Sequence, residues 1–353
     1  VSLAARIADR IRTGGPISVA EYMHLCLHDP ADGYYATRPA LGAEGDFITA
    51  PLVSQMFGEL IGLWMIELWR QMGRPAPLRL VELGPGDGTL MSDLLRAARL
   101  EVGFLEAAEI WLVEPSGPFR ELQRRRLGSA PIHADRLEDV PAGAPLLLVG
   151  NEVLDCLPAR QWEWREGAWK ERRIGLEGDR LVFGLAPAPR ITFAAAPARE
   201  GAVLEHSPAQ EALGSAIGAR IAAEGGAALL VDYGRAEAGL GDTLQALRGH
   251  VREDPLAHPG RADLTVHADF PAVLAAARRE GIETAGPVFQ GRFLQALGLG
   301  ARAAALARIH PRDAAWLERQ VERLTAPDQM GELFLAAALH SPGLHPPGFG
   351  APP

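Results

Sequence analysis

Gly84-Pro85-Gly86-Asp87-Gly88 lies between an apolar run, Leu78 to Leu83, and a helical pattern opening at Thr89. Glycines at alternate positions let the backbone turn tightly and approach a ligand with no side chain between them. A helix starting at Thr89 would turn free N–H groups toward that ligand. Strand, glycine turn and helix together describe a nucleotide-type site. A dinucleotide site calls for an acidic residue about 20 positions past the glycines to hold the ribose. Here the next apolar run, Ile110 to Val113, ends in Glu114, which is farther away. The glycines are not spaced G-x-G-x-x-G, and Pro85 removes an N–H that a pyrophosphate would use. The pattern therefore favours a ligand with ribose but no pyrophosphate, such as S-adenosylmethionine, over NAD(P) or FAD. A purely structural strand–turn–helix is the remaining reading.

Other acidic and amide groups fall at strand ends. Glu114 can accept from both ribose hydroxyls, and Asp135 is placed to accept from an adenine amine, although it also reads as an ordinary surface carboxylate. Asn151-Glu152-Val153-Leu154-Asp155 follows a very apolar strand. If a short helix begins at Asn151, Glu152 and Asp155 share a face, where they repel unless a proton or a cation joins them. A guanidinium, with five donors, matches that pair. The plainer alternative has Asn151 capping a helix and both acids in solvent. Asp232 ends a further buried strand. His250, His258 and His267 lack zinc-site spacing, and no G-x-S-x-G elbow occurs.

In an open parallel sheet, ligands bind beyond the carboxyl ends of the strands, so the elements must form such a sheet. Apolar runs at 78–83, 110–113, 130–133, 146–149, 227–231, 282–289 and 332–339 predict its strands. The run Leu146 to Val149 is apolar on both faces, as a twice-covered parallel sheet requires. Helices are predicted over 3–11, 18–28, 54–72, 89–99, 117–127, 208–223, 270–280 and 301–324. Ser18 and Glu21 suggest a capping box. Residues 160–195, with Trp162, Trp164 and Trp169, read as an antiparallel hairpin insertion, and 233–263 as a long loop.

The fold class expected is α/β, a Rossmann-like sheet. A helical section over residues 1–75 contributes to a cover for the site. The sheet domain spans 76–340, with insertions near 160–195 and 233–268, and 341–353 is a flexible tail. The 353 residues carry 35 basic and 44 acidic side chains, a net charge of −9, which gives no general basic footprint for nucleic acid. Cys26 and Cys156 stand far apart and suggest a reducing compartment, such as a bacterial cytoplasm. No apolar run reaches membrane-spanning length, and the stretch from Val1 to Arg6 reads as an amphipathic helix rather than a leader. An oligomer is possible.

Taken together, several motifs resemble one family. They are Asp32-Gly33-Tyr34-Tyr35, Gly45-Asp46-Phe47-Ile48-Thr49-Ala50-Pro51, Ser54-Gln55-Met56-Phe57-Gly58-Glu59, Val81 to Gly88, Asn151 to Pro158, Val231-Asp232-Tyr233-Gly234, Gly241 to Ala246, Gln290 to Leu294 and Met330 to Phe334. This combination is similar to the MidA-like class I methyltransferases over about residues 1–340. That resemblance implies S-adenosylmethionine as cofactor and a protein arginine as methyl acceptor, on a subunit or assembly intermediate of a respiratory NADH–quinone oxidoreductase. It places a eukaryotic member in the mitochondrial matrix. Gly84, Pro85, Gly86, Gly88, Glu114, Asp135 and Asn151 would then serve the cofactor. Thr49, Ser54 and Gln55 would close over it, while Glu152 and Asp155 hold the guanidinium. Leu52 departs from the family, which usually carries Glu there, and Val153-Leu154 replaces a Phe-Phe pair. An assembly or binding protein with little turnover and a small-molecule methyltransferase are the rival readings.

Overall fold

The computed structural model describes residues 2–37, 49–187 and 198–350. Seven strands of the eight-stranded central sheet form one continuous path, β1 (Leu78–Leu83), β2 (Ala108–Val113), β3 (Ile132–Ala134), β4 (Leu146–Asn151), β5 (Gly226–Arg235), β6 (Glu283–Phe289) and β7 (Phe334–His340), and the short strand Ala268–Asp269 pairs with the end of β5. Their order is β3-β2-β1-β4-β5-β7-β6, and β1 to β5 run parallel. β7 is antiparallel to both of its neighbours. β1 and β4 are buried along their whole length, and successive residues serve opposite faces. Leu80, Leu147 and Leu229 join one core with Trp64 and Met91. Val81, Leu148 and Leu230 join the other with Ile217 and Phe270. Each fully buried side chain of this kind contributes roughly 1.5–3 kcal/mol of transfer free energy. Apolar patterning on both parities is therefore what holds the sheet between two helical layers.

On one face lie α3 (Gln55–Gln71) and α4 (Thr89–Ala98), and on the other α6 (Pro208–Glu224) and α7 (Phe270–Arg278). α5 (Gly117–Leu127) crosses between β2 and β3. A methyl group at Gly62 would stand 2.7 Å from the Leu94 carbonyl, so the absence of a side chain there lets α3 reach α4. The first two helices, α1 (Leu3–Gly14) and α2 (Val19–His28), belong to a third core. They pack on Ile174, Ala246 and Leu264 from the inserted strands rather than on the central sheet.

Several local expectations need correction. Ser18 Oγ does accept from Glu21 N, but the Glu21 carboxylate pairs with Arg10, leaving the capping box half made. The helix expected over 301–324 is two helices, Leu299–Ile309 and Ala314–Thr325, broken at Pro311, which has no N–H to continue the first. The expected 233–263 loop contains strands. β5 runs on to Arg235, and Gln245–Arg248, Val251–Glu253 and Asp263–Thr265 form a small antiparallel sheet. Its tight turn is Gly249-His250, with φ of 59° and 62°, a two-residue hairpin without the usual Asn-Gly signal. The first insertion forms antiparallel strands Arg160–Arg165, Ala168–Glu177 and Arg180–Pro187, joined by Val203–His206. Ile191 to Phe193, and the glycine-rich turn from Gly42 to Ile48, lie outside the described residues. The tail is packed as far as described. Leu344 is buried, and Trp64 Nε1 donates to the Pro347 carbonyl at 3.1 Å. No helix among the described residues is long and apolar enough to cross a membrane.

Candidate functional site

The carboxyl ends of β1, β2 and β4 open into a cavity of about 380 Å3. Beyond β1 the chain reverses through Gly84 and Gly86, at φ of 60° and 52°. Gly84, Pro85 and Gly86 line the cavity, so backbone meets its contents there. Gly88 does not line it. A side chain there would meet Leu127 at 3.2 Å, so Gly88 lets α4 approach α5. Asp87 Oδ1 accepts from both the N–H and the hydroxyl of Thr89, at 3.0 and 2.6 Å, and Oδ2 pairs with Arg126. The helix start expected to offer free donors is thus already capped in part. Gln123 Nε2 holds the Gly86 carbonyl at 2.6 Å.

Glu114 ends β2 and lines the cavity while only 6% exposed. Its Oε1 accepts from Ser116 N at 2.8 Å, and burial pushes its carboxyl up to about 7. Asp135 lies at the cavity edge, largely exposed, in an ion pair with Arg120 at 2.6 Å. Glu82 lies within the apolar run Leu78 to Leu83 and carries no site signal of its own in the sequence. It is buried on the wall, where desolvation drives its carboxyl well above the usual range. Its Oε2 has no hydrogen-bond partner, and neither has Asn151 Oδ1 on the same wall.

β4 delivers Asn151 and then Glu152, in the left-handed region at φ 55°. This is an uncommon place for a residue with a side chain, and it needs support from outside. Asp232 supplies it from β5. Its Oδ2 accepts from the N–H groups of Val153, Leu154 and Asp155 at 2.9, 2.7 and 3.4 Å, and Oδ1 from Tyr233 N at 2.8 Å. Glu152 N donates to the Val231 carbonyl at 2.9 Å. Glu152 Oε1 accepts from Asn151 Nδ2 and from Ala50 N, at 2.9 and 3.2 Å. Burial and the neighbouring Asp232 push Glu152 up to about 8.

The segment after Asn151 is therefore a turn, not a helix. Glu152 faces the cavity, while Asp155 does not line it and lies behind with Asp232. Thr49 and Leu52 line the cavity beside Ala50. Ser54 and Gln55 do not. Ser54 caps α3 and donates to Gln320 at 2.9 Å, and Gln55 accepts from Arg96 on the surface. His28 and Tyr35 are among the lining residues that are not site candidates in the sequence. They come from the N-terminal section, and their rings stack at 5.9 Å. The Tyr35 hydroxyl donates to Asp263 at 2.7 Å. The double tyrosine after Gly33 was the available signal, but nothing local says that it reaches the sheet end.

Such a cavity offers backbone at a glycine turn and a buried carboxylate one strand over. It also offers unpartnered acceptors and apolar walls at Val113, Phe119 and Leu137. That set fits a nucleoside-bearing cation. The ribose needs acceptors, an ammonium group brings the donors that Glu82 and Asn151 lack, and a base needs apolar contact. Comparison with known proteins agrees. A family model for S-adenosyl-L-methionine-dependent methyltransferases matches residues 60–288. The chain is 36% identical over 374 residues to the mitochondrial protein arginine methyltransferase NDUFAF7 homolog of Drosophila melanogaster, spanning 96% of this chain and 84% of that one. It is 34% identical over 363 residues to the human NDUFAF7, spanning 94% and 81%. Among solved structures, a Burkholderia thailandensis protein bound to S-adenosyl-homocysteine superposes with a TM-score of 0.85 at 28% identity. That match covers 96% of this chain and 91% of the other.

Proposed function

This chain belongs to a family of S-adenosyl-L-methionine-dependent methyltransferases, and from that premise we propose that its methyl acceptor is an arginine side chain presented by a protein. The observation that carries the proposal is Glu152. A carboxylate in a supported left-handed turn faces the cavity, with more carboxylates behind it and no basic side chain paired to it among the described residues. A guanidinium satisfies such a group with several donors at once. The mitochondrial relatives named as protein arginine methyltransferases support the same acceptor.

Bound in the cavity, S-adenosylmethionine supplies an activated methyl group on a sulfonium that becomes a neutral thioether as the methyl leaves. In this reading Glu114 holds the ribose and Glu82 and Asn151 meet the amino group, with Asp135 near the base. Gly84, Pro85 and Gly86 admit the ligand to backbone contact. Thr49 and the Ala50 peptide close the wall that excludes water. Glu152 would orient the guanidinium so that one of its nitrogens faces the methyl group. That nitrogen then sheds one N–H proton to the Glu152 carboxylate. Asp155 tunes Glu152 from behind. Orientation and charge placement are most of what such a transfer requires from the protein.

We further propose a subunit or assembly intermediate of a respiratory NADH–quinone oxidoreductase as the partner. That places the reaction in the mitochondrial matrix of a eukaryotic cell or the cytoplasm of a bacterial one. Leu52 puts a hydrocarbon on the wall where the family usually carries a carboxylate, which changes the substrate groups that can be satisfied there. The test is mass spectrometry of that subunit from cells with and without this gene, and with a Glu152→Gln copy. The expected result is arginine methylation that disappears without the gene and falls by about 100-fold with Glu152→Gln. Methylation of a small molecule by the purified protein, with no arginine modified in any strain, overturns the arginine acceptor.

A further inference from the structure

Glu152 is one of four carboxylates gathered under the acceptor end of the cavity. Asp155 and Asp232 share the turn described above. Asp263, on the small inserted sheet, accepts from Tyr35. Val266, three residues beyond Asp263, donates its N–H to the Asp155 carbonyl at 2.9 Å, which ties that sheet to the turn. Asp155 is driven well above the usual range by burial and then by Asp232, Asp263 and Glu152. Asp232, with three turn N–H groups on one oxygen, rises less, to about 6.

Among the described residues, the neighbouring thiol, phenols and imidazoles add no positive charge. Cys156, Tyr35 and Tyr233 are pushed up and stay neutral, and burial pushes His28 and His267 down. Arg235, three residues beyond Asp232, is paired with Asp269, and Arg252 acts on Tyr233 and His267. No lysine or arginine is ion-paired with Glu152, Asp155 or Asp232 among the described residues. Nor are such groups arranged there to hold a metal ion. Asn151, 9% exposed and bonded to Glu152, adds the carbonyl oxygen that lacks a donor. Like charges buried together cannot all ionise, so some of these groups hold protons when nothing cationic is present.

We propose that Glu152 and Asp155 are protonated while the acceptor end is empty and are discharged when a cationic acceptor side chain enters, so that acceptor binding expels protons and a neutral side chain is refused. The inference rests on the reading of the acceptor as a protein side chain, and it adds how the site tells a cation from its neutral isostere. The Tyr35–Asp263 pair is the positioning element, because it fixes the fourth carboxylate beside the turn.

Infrared difference spectra of the whole protein with S-adenosylhomocysteine, at neutral pH, read the carbonyl stretch of protonated carboxylic acids. The expected band is present in the wild type and weaker in Glu152→Gln and in Asp155→Asn. N-acetyl-arginine amide removes the part of the wild-type band that the two variants lack and releases up to two protons per site, whereas N-acetyl-citrulline amide does neither. The acceptor KM falls as pH rises, by up to about tenfold per unit where one proton is expelled. A wild-type band no stronger at neutral pH than that of the two variants overturns the proposal, as does an arginine compound that seats without weakening it. So does inertness of both the arginine compound and N-acetyl-lysine amide. If the lysine compound alone discharges the band, proton-linked binding stands and the arginine acceptor falls. If arginine is methylated in a target protein while no band ever appears, the acceptor reading stands and this one falls. The wild-type comparison decides the matter even where a variant does not fold.

Discussion

In the proposed role of Glu114 as the ribose ligand, its carboxyl must be charged to accept from both hydroxyls, yet burial holds it at about 7. Its folded value is raised, so the binding form is fully present above about 7 and is lost as pH falls through it. Affinity for S-adenosylhomocysteine is therefore expected to be flat above that point and to weaken below it by up to about tenfold per unit. Calorimetry across the range checks this. Glu114→Gln binds more weakly by about 1.5–3 kcal/mol, without the pH dependence. Glu152 gives a stability prediction with the opposite pH dependence. Its carboxyl, at about 8, keeps a proton in the folded protein that the unfolded chain has already lost. Its contribution is present below the ordinary carboxylate value and is lost as pH rises toward about 8, on the order of 1 kcal/mol per unit. Thermal melts of the ligand-free protein should show Glu152→Gln gaining on the wild type as pH rises from 5 to 8. At this scale the sequence exposed the charged residues at strand ends. It did not show that Asp155 turns away from the cavity, because that depends on the left-handed φ at Glu152 and on an anchor 77 residues along the chain.

The element that presents Glu152 is a turn held by a carboxylate on a different strand. Asp232→Ala strips the acceptor from three N–H groups, one buried and two half-buried, and leaving them unpaired should cost about 3 kcal/mol. Urea unfolding is expected to show a lower midpoint with an unchanged m value, and acceptor turnover should fall more than S-adenosylhomocysteine affinity. Equal losses in both would mean that the turn supports the cavity as a whole. Elements with strong periodicity or sharp boundary chemistry were legible from their own residues. Ser54 before the apolar face of α3 and the doubly apolar β4 are examples. The small sheet was not legible. Its strands are three or four residues long, and its turn is made by Gly249-His250, a pair with no strong hairpin preference.

For the molecule as a whole, α1, α2 and the inserted strands form one core, separate from the two cores that cover the central sheet. Ile174 is fully buried in it, on the strand paired with Ile17. Ile174→Ala should cost about 2–5 kcal/mol. Hydrogen exchange is expected to show faster amide exchange in α1 and α2 with little change in β1 and β4. A uniform loss across all of them would mean that the three cores unfold as one unit. The order of residues along the chain was enough for the α/β class and for the places of these strands, because a strand buried on both faces, such as β1 or β4, demands apolar residues at both parities. The glycine turn and Glu114 at the carboxyl ends of β1 and β2 were legible too, because they are contiguous with the strands that place them. The tertiary structure alone decided which acids meet. Asp232 and Asp263 reach Glu152 and Tyr35 from distant parts of the chain, and their hydrogen bonds and mutual repulsion have no local signature. Tertiary packing also decided that the first helices stand on the insertions, because an amphipathic face records that it must be covered and not by what.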